Sequence, residues 1–237
     1  MFIISLQEGI TVSFDKIASS YDCWYTTSLG RFADEVETAL AFALFAVRPG
    51  ELILDAACGT GNFSLKLARK GAQVVGVDLA PGMLAVAQEK AVREGLPVSL
   101  VQADLCRLPY PANHFDGVIC MAAFEFIPEP QTAFNELIRV LKPGGNLLIG
   151  TINRESVWGA LYKEQAQKGD SIYRRARFMS MQELIDLDRA NLERTGQCLF
   201  VNPDSSPEHF KQEEKASLGG RGGFVAALWR KPPTAKD

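Results

Sequence analysis

The chain has little of what a metal site, a disulfide framework or a nucleic-acid surface requires. Its 237 residues include only two histidines, His114 and His209, so a metal site with imidazole ligands is not expected. The five cysteines are odd in number and form no C-x-x-C pair, which favours reduced, buried thiols in a cytoplasmic protein. A formal net charge of −3 lacks the basic excess of a general nucleic-acid binder.

Long apolar runs and a targeting signal are also missing. Met1 to Leu6 is apolar but brief and carries no basic residue, and Ala39 to Val47 is much shorter than the roughly 20 residues of a membrane span. Preceded by Phe32 and Val36, the second run instead has the spacing of the buried face of a helix. We therefore expect no membrane span, and one domain, because a chain that is 47% apolar can bury one full core.

The most informative stretch of the chain runs from Leu52 to Gly61. An apolar segment of strand length ends at Asp55 and gives way to a turn of small residues. A helix-like segment, Asn62 to Arg69, and a second apolar strand ending at Asp78 follow. This pattern predicts the first βαβ unit of a nucleotide-type site, in which backbone N–H groups approach the ligand and the second acid accepts from ribose hydroxyls.

Charge indicates which ligand this unit binds. Ser64 stands where the dinucleotide pattern G-x-G-x-x-G has its third small residue, and Asp55 would repel a pyrophosphate. No Lys or Arg lies between Asp55 and Gly61, which excludes a phosphate-binding loop of the G-x-x-x-x-G-K type. A ligand with a cationic amino-acid end and a ribose suits both Asp55 and Asp78. S-adenosylmethionine (SAM) is such a ligand.

The next part of the chain continues the alternation of strands and helices. Val98 to Gln102 is predicted to be the third strand, and Asp104 just after it could accept from an adenine amino group. Phe115 to Met121 reads as a buried fourth strand. The helix after it is expected to end in the segment Leu141 to Gly145, which contains a Pro-Gly pair, before a fifth strand from Asn146 to Thr151.

Taken together, these motifs resemble the class I SAM-dependent methyltransferases, of the broad group that includes the ubiquinone- and menaquinone-biosynthesis C-methyltransferases. The resemblance covers roughly Phe14 to Thr151. The family pattern D-x-G-x-G-x-G corresponds here to Asp55, Ala57, Gly59 and Gly61. Ala57 replaces the usual first glycine, which restricts the turn only modestly. The segment Phe14 to Asp22 resembles the family's N-terminal signature, whose tyrosine, here Tyr21, covers the cofactor.

The resemblance implies an α/β, Rossmann-like sandwich with a seven-stranded, mostly parallel sheet and an antiparallel last strand. Two N-terminal helices (about Asp15 to Thr26 and Arg31 to Val47) would form a cap within residues 1–48, and residues 153–178 would form a helical insertion, or lid, after the fifth strand. Ser180 is expected to cap a further helix that carries Leu184, Ile185 and Leu192. The last two strands are expected at Gln197 to Val201 and Phe224 to Trp229, joined by a loop.

The resemblance and the strand positions together predict the binding residues. The cofactor residues are expected to be Tyr21, Asp55, Ala57, Cys58, Gly59, Thr60, Gly61, Asp78, Leu79, Met83, Asp104, Leu105 and Met121. The acceptor residues are expected to be Tyr25, Phe124, Glu125 and Arg174. The basic cluster that contains Arg174 would favour an acceptor with a carboxylate or phosphate, although a solvated helix face is its simplest explanation.

The expected reaction is methyl transfer from SAM to a small organic acceptor, with S-adenosylhomocysteine as the other product. The leaving group is a neutral thioether, so in-line geometry and exclusion of water suffice, and no residue is assigned a catalytic role. One alternative is a SAM-binding sensor or assembly protein without transferase activity. A second alternative is a nicotinamide-dependent oxidoreductase, which Asp55 and Ser64 disfavour.

Overall fold

The computed structural model of the protein describes residues 14–168, 171–216 and 220–233. The start of the predicted cap, residues 1–13, lies outside the described residues. The strands are β1 (Leu52–Ala56), β2 (Gln73–Asp78), β3 (Val98–Gln102), β4 (Phe115–Met121), β5 (Leu141–Ile152), β6 (Leu192–Cys198) and β7 (Phe224–Arg230). The helices are α1 (residues 14–21), α2 (Ser28–Leu44), α3 (Asn62–Arg69), α4 (Pro81–Glu94), α5 (Pro130–Val140), α6 (Val157–Ala166), α7 (Met181–Ile185) and α8 (Phe210–Ala216).

The described strands form one seven-stranded sheet in the order β3-β2-β1-β4-β5-β7-β6. The strands β1 to β5 are parallel to one another, and β7 is antiparallel to both β5 and β6. This arrangement confirms the predicted Rossmann-like methyltransferase sandwich. Because β1 lies between β2 and β4, the connections that leave the carboxyl ends of β1 and β4 diverge and leave a crevice at that edge.

The helix α2 packs on the sheet through the apolar face that the sequence predicts. Phe32 and Leu44 are buried, and Val36, Leu40 and Val47 pack against the same core. Thr27 caps the helix by accepting a hydrogen bond from the Gly30 N–H at 3.0 Å. Within the described residues, no helix has both the length and the apolar run that a membrane crossing needs.

The N-terminal segment is held against the sheet edge by two acids. The Asp15 carboxylate accepts a hydrogen bond from the Gly82 N–H at the start of α4, at 2.7 Å. The Asp22 carboxylate accepts from the Thr60 hydroxyl at 2.7 Å and pairs with the Lys90 ammonium at 2.8 Å. These bonds place α1 over the turn that follows β1.

Two predictions around Ser180 and Gly145 differ from the structure. Ser180 does cap α7, with a reciprocal bond from its own N–H to Glu183, but the helix ends at Ile185 and Leu192 begins β6. A short apolar run fits a helix and a strand equally well, and pairing with β7 decides it here. The fifth strand begins at Leu141 instead of Asn146, because Leu141 already pairs with Phe115 of β4.

The predictions for the last strands and their connection also need correction. β6 begins before the expected Gln197 and ends at Cys198. The expected loop from residue 202 to residue 223 contains α8. Glu214 on α8 accepts hydrogen bonds from the Leu199 and Phe200 N–H groups at 2.8 and 2.6 Å, so α8 closes the open end of β6. Composition alone indicates a loop, since these long-range bonds leave no local pattern.

The hydrogen bond from the Gly82 N–H to Asp15 is one of the bonds that hold the N-terminal segment, and its contribution can be tested. Asp15→Ala should raise amide hydrogen exchange at residues 14–27 about fivefold and leave β1 and β4 unchanged, because the loss of a helix-capping acceptor costs about 1 kcal/mol. Asp15→Asn, which keeps a carbonyl acceptor, is the matched control and should exchange like the unaltered protein. Equal exchange in Asp15→Ala and the unaltered protein would show that this bond does not hold the segment.

Candidate cofactor and acceptor site

Two adjoining cavities lie at the carboxyl edge of the sheet. The loops that follow β1, β2, β3 and β4 form most of the first cavity, with the N-terminal segment above them. The second cavity has a volume of about 620 Å³ and lies between the N-terminal segment and the segment from α6 to the turn Ile172–Arg175. The residues that line both cavities are Tyr21, Tyr25, Asp34, Glu37, Ala122 and Phe126.

The structure brings the predicted cofactor residues together. All thirteen of them except Gly61 line the first cavity. Gly61 lies just behind the turn in the left-handed conformation (φ 79°), and a Cβ there would come within 3.0 Å of the Ala87 Cβ. A glycine is therefore required at position 61 by the backbone and by the close approach of α4.

Asp55 ends its strand almost completely buried, with 2% of its surface exposed. Its carboxylate accepts a hydrogen bond from the Ser64 hydroxyl at 2.6 Å, in the first turns of α3. Burial, which outweighs the hydrogen bonds from Ser64, raises the pKa of Asp55 to about 7. Ser64, the residue that departs from the dinucleotide pattern, thus positions Asp55, whose negative charge would repel a pyrophosphate.

Asp78 ends β2 with both carboxylate oxygens oriented by the backbone. One oxygen accepts from the Gly59 N–H at 2.8 Å and the other from the Ala80 N–H at 2.9 Å. Burial raises the pKa of Asp78, and the backbone hydrogen bonds oppose that rise. Carboxylate oxygens have further lone pairs, so Asp78 can still accept hydrogen bonds from a ligand in the first cavity.

The third acid of this edge, Asp104, follows β3 directly. One of its oxygens accepts from the Cys106 N–H at 2.9 Å, which fixes the side chain at the cavity wall. Leu79, Met83 and Leu105 line the same cavity and provide an aliphatic surface. Acids at the ends of three neighbouring strands, with apolar side chains between them, provide hydrogen-bond acceptors and an apolar surface suited to a nucleoside.

The lining of the first cavity also fits a positively charged ligand. No Lys, Arg or His of the described residues lines it, whereas five acids do. A pyrophosphate would meet only negative partners here, while the ammonium and sulfonium groups of SAM would be stabilised. Among the described residues, no group of three or more His, Cys, Asp or Glu side chains is arranged to hold a metal ion.

Ala57 occupies the turn after β1 in a left-handed conformation (φ 56°). This is where the family pattern has its first glycine, and a non-glycine residue there costs roughly 1–2 kcal/mol. The turn nevertheless forms, because the Cys58 N–H donates to the Val77 carbonyl at 2.9 Å and the Gly59 N–H donates to Asp78. The sequence expectation that Ala57 is tolerated agrees with this geometry.

Two acids that line the second cavity have carboxyl groups with raised pKa values. Glu125 is 1% exposed; its Oε2 accepts from the Thr151 hydroxyl at 2.9 Å, and its Oε1 has no hydrogen-bond partner among the described residues. Burial raises the pKa of Glu125 to about 7. Burial, followed by repulsion from Asp34 and Glu125, raises the pKa of Glu37 to about 8.

The four predicted acceptor residues are only partly brought together. Tyr25 lines both cavities and Glu125 lines the second. Phe124 lines neither cavity, because its side chain is 1% exposed and packs in the hydrophobic core. Phe126, two residues later in the same tight turn, lines both cavities. Arg174 is exposed and lines neither cavity.

Several residues that line the cavities were not predicted from the sequence. Glu37 had a detectable signal, because it lies four residues from the buried Ala33 and Ala41 on α2, where an acid is unexpected. Tyr162 and Tyr173 had no such signal. Their rings meet at a centroid distance of 4.4 Å only because the turn at Ile172–Arg175 folds back on α6.

Comparison with known proteins agrees with this geometry. A methyltransferase-domain family model matches residues 54–149. An uncharacterised protein of Methanocaldococcus jannaschii is 31% identical over 90% of this chain and 96% of its own length. A demethylmenaquinone methyltransferase of Clavibacter sepedonicus is 31% identical over 82% of this chain and 76% of its own length.

Comparison with solved structures also finds a methyltransferase. It is a SAM-dependent methyltransferase of Thermotoga maritima, described as a possible histamine N-methyltransferase, with 26% identity and a TM-score of 0.71 over 92% of this chain and 98% of that chain. The chain belongs to the class I SAM-dependent methyltransferase family. It is therefore a SAM-dependent methyltransferase, and the oxidoreductase and the non-enzymatic alternatives are not supported.

The buried acids predict how the stability of the ligand-free protein depends on pH. Glu37, Asp55 and Glu125 have ordinary pKa values of 4.5, 3.8 and 4.5 and folded-state pKa values of about 8, 7 and 7. Between these limits the folded state binds more protons than the unfolded state, so the free energy of unfolding falls as pH rises. Thermal unfolding followed by circular dichroism should therefore give a lower Tm at pH 8.5 than at pH 5.5.

Substitution of one acid tests the origin of this pH dependence. Glu37→Gln, which cannot ionise, should reduce the fall in Tm between the two pH values. Glu35→Gln, on the exposed side of the same helix, is the matched control and should leave the fall unchanged. A Glu37→Gln protein with the same pH dependence as the control would remove Glu37 as a source.

Proposed function

We propose that the protein binds SAM in the first cavity and transfers its methyl group, by in-line displacement, to a small molecule held in the second cavity. The observation that carries this proposal is the junction of the two cavities at Tyr21, Tyr25 and Ala122, beside the ends of β1 and β4. A methyl donor in one cavity and an acceptor in the other would meet there.

In this proposal, each acid of the first cavity contacts a different part of the cofactor. Asp78 would accept from the ribose hydroxyls, Asp104 would approach the adenine and Asp55 would face the amino-acid end. The donors that orient Asp78 and Asp55, the Gly59 N–H and the Ser64 hydroxyl, are already in place without ligand. Such preorganisation lowers the cost of ordering the site on binding.

The protein's part in the transfer is mainly positional. When bound, SAM supplies a methyl group on a sulfonium whose leaving group is a neutral thioether, so no residue has to donate a proton to it. Asp15 and Asp22 hold the N-terminal segment over the junction, where Tyr21 lies between the two cavities. Holding two reactants in line and excluding water can lower a barrier by roughly 7–11 kcal/mol.

Two segments outside the regular sheet provide most of the acceptor cavity. The N-terminal segment contributes Tyr25, and the predicted insertion, residues 153–178, contributes Trp158, Tyr162 and Tyr173. The Trp158 indole N–H donates to the Val201 carbonyl at 2.8 Å, which ties the insertion to the chain after β6. We therefore infer that the described parts of residues 1–48 and 153–178 act as a cap and as an acceptor-selecting lid, respectively, within one domain.

Asp78 gives the first test of the cofactor site. Asp78→Asn should weaken S-adenosylhomocysteine binding at least tenfold by calorimetry, since a charge-assisted hydrogen bond contributes about 1.5–3 kcal/mol. Asp186→Asn, exposed at the end of α7, should bind like the unaltered protein. Unchanged affinity in a folded Asp78→Asn protein would show that the ligand lies elsewhere.

The second test separates the two cavities. Tyr162 lines the second cavity and not the first. Tyr162→Ala should keep S-adenosylhomocysteine affinity within twofold and lower methyl transfer to pooled small metabolites, measured with labelled SAM, at least tenfold, because the acceptor loses a wall of its cavity. Tyr110→Ala removes a ring that stacks on His114 and lines neither cavity, and it is the control. Equal transfer by Tyr162→Ala and the unaltered protein would contradict an acceptor in the second cavity.

A further inference from the structure

The second cavity combines aromatic rings with acids and contains no opposing cation. Of the described residues that line it, none is Lys, Arg or His. Four are acids, Asp34, Glu37, Glu125 and Asp204. The aromatic rings come from the N-terminal segment, the turn after β4, the insertion and β7. A cavity of this composition suits a positively charged molecule, which gains from both the acids and the faces of the rings.

The acids of the second cavity differ in what already neutralises them. Lys66, which lines neither cavity, pairs with Asp34 and also donates to the Thr38 hydroxyl at 2.7 Å. Lys66 also lowers the pKa of Glu37, but desolvation and the neighbouring acids outweigh that effect. Asp204 is exposed to solvent. Glu125 and Glu37 therefore remain as the acids that a ligand in this cavity would satisfy.

Glu125 provides the observation that points to a ligand. It lines the second cavity and not the first, so the charges of SAM do not account for it. Its Oε2 is held by Thr151, which fixes the carboxyl plane, and its Oε1 is buried without a partner among the described residues. An unpartnered buried carboxyl oxygen is costly, and a hydrogen-bond donor that enters the cavity and shifts the side chains covering Oε1 would remove that cost.

The rings of the cavity are also suited to surround a cation. The Tyr21 and Tyr25 centroids are 6.2 Å apart and those of Tyr162 and Tyr173 are 4.4 Å apart. Burial and the charge of Glu125 raise the pKa of Tyr21 to about 12, so its phenol stays neutral and can donate a hydrogen bond near pH 7. Neutral, electron-rich rings attract an ammonium group within about 6 Å of their centroids.

We propose that the methyl acceptor is an organic amine, bound in the second cavity as its ammonium form between the tyrosine rings and the carboxylates of Glu125 and Glu37. This inference rests on the proposed function, whose acceptor cavity it assigns to a class of substrate. It replaces the expectation of an anionic acceptor, since Arg174 lies outside the cavity.

The residues present can accept the proton that such an acceptor must lose, so the reaction needs no further reactant. The ammonium first gives one proton to a carboxylate, Glu125 or Glu37, and becomes a neutral amine. The nitrogen lone pair then forms a bond to the methyl carbon as the carbon–sulfur bond breaks, and that electron pair stays on sulfur. The products are a methylated ammonium, neutral S-adenosylhomocysteine and a protonated carboxyl group, which releases its proton to solvent afterwards. Carboxyl groups with a pKa near 7 to 8 can exchange this proton at neutral pH.

The test compares a cation with its neutral isostere. The full-length protein, saturated with S-adenosylhomocysteine, is titrated with benzylammonium, which carries N–H donors, and with ethylbenzene, in which a methyl group replaces the ammonium group. Binding is followed by the fluorescence of tryptophan, because Trp24 and Trp158 line the second cavity. The cation should bind at least tenfold more tightly than the neutral compound. Equal affinities would overturn the proposal in favour of a neutral acceptor.

Variants locate the charge that recognises the cation. Glu125→Gln should weaken benzylammonium binding at least fivefold and leave the affinities for ethylbenzene and S-adenosylhomocysteine within twofold. Glu37→Gln is a second variant, used in case the buried substitution Glu125→Gln prevents folding. Glu35→Gln, on the exposed side of α2, is the matched control. Cation binding that is unchanged in both Glu125→Gln and Glu37→Gln would overturn the assignment.

A parallel titration keeps the two proposals distinguishable. Calorimetry of S-adenosylhomocysteine alone tests the cofactor site, and the cation titration repeated without it tests the second cavity independently. Cofactor binding without preference for the cation would leave the proposed function standing and overturn the amine acceptor. Preference for the cation without cofactor binding would contradict the proposed function and retain a cation site.

Discussion

The position of β1 between β2 and β4 is the constraint on which the rest of the site depends. The chain leaves β1 towards β2 on one side, and β4 pairs with β1 on the other, so the two following loops separate at the carboxyl edge. Asp55 and Met121 end these two strands and both line the first cavity. The divergence creates the space, and the strand ends determine which side chains surround it.

The negative charge of the side chains that line the two cavities determines which ligands they favour. Acids line both cavities, and no cationic side chain of the described residues does. Burial holds several of these carboxyl groups closer to their neutral form, so the ligand-free protein carries an electrostatic cost in the site. A positively charged ligand relieves this cost, which links ligand recognition to the stability of the folded chain.

The two segments that cover the cavities are attached by a few polar bonds. Asp15 and Asp22 hold the N-terminal segment, and the Trp158 indole holds the insertion. The sheet below supplies the turn and the acids that recur in this family. The covering segments supply Glu37 and most of the rings, and they are the part of the site that we propose selects the acceptor.

The sequence by itself determined the βαβ order, the bounds of β3 and β4, and the acids at the strand ends, because apolar periodicity and small-residue turns are local signals. Only the tertiary structure decided that Leu192 begins a strand, that Phe126 instead of Phe124 faces the cavities, and that Glu37 and Glu125 share one cavity. These outcomes depend on pairing and packing between residues far apart in the chain, and such contacts leave no periodic pattern in the sequence.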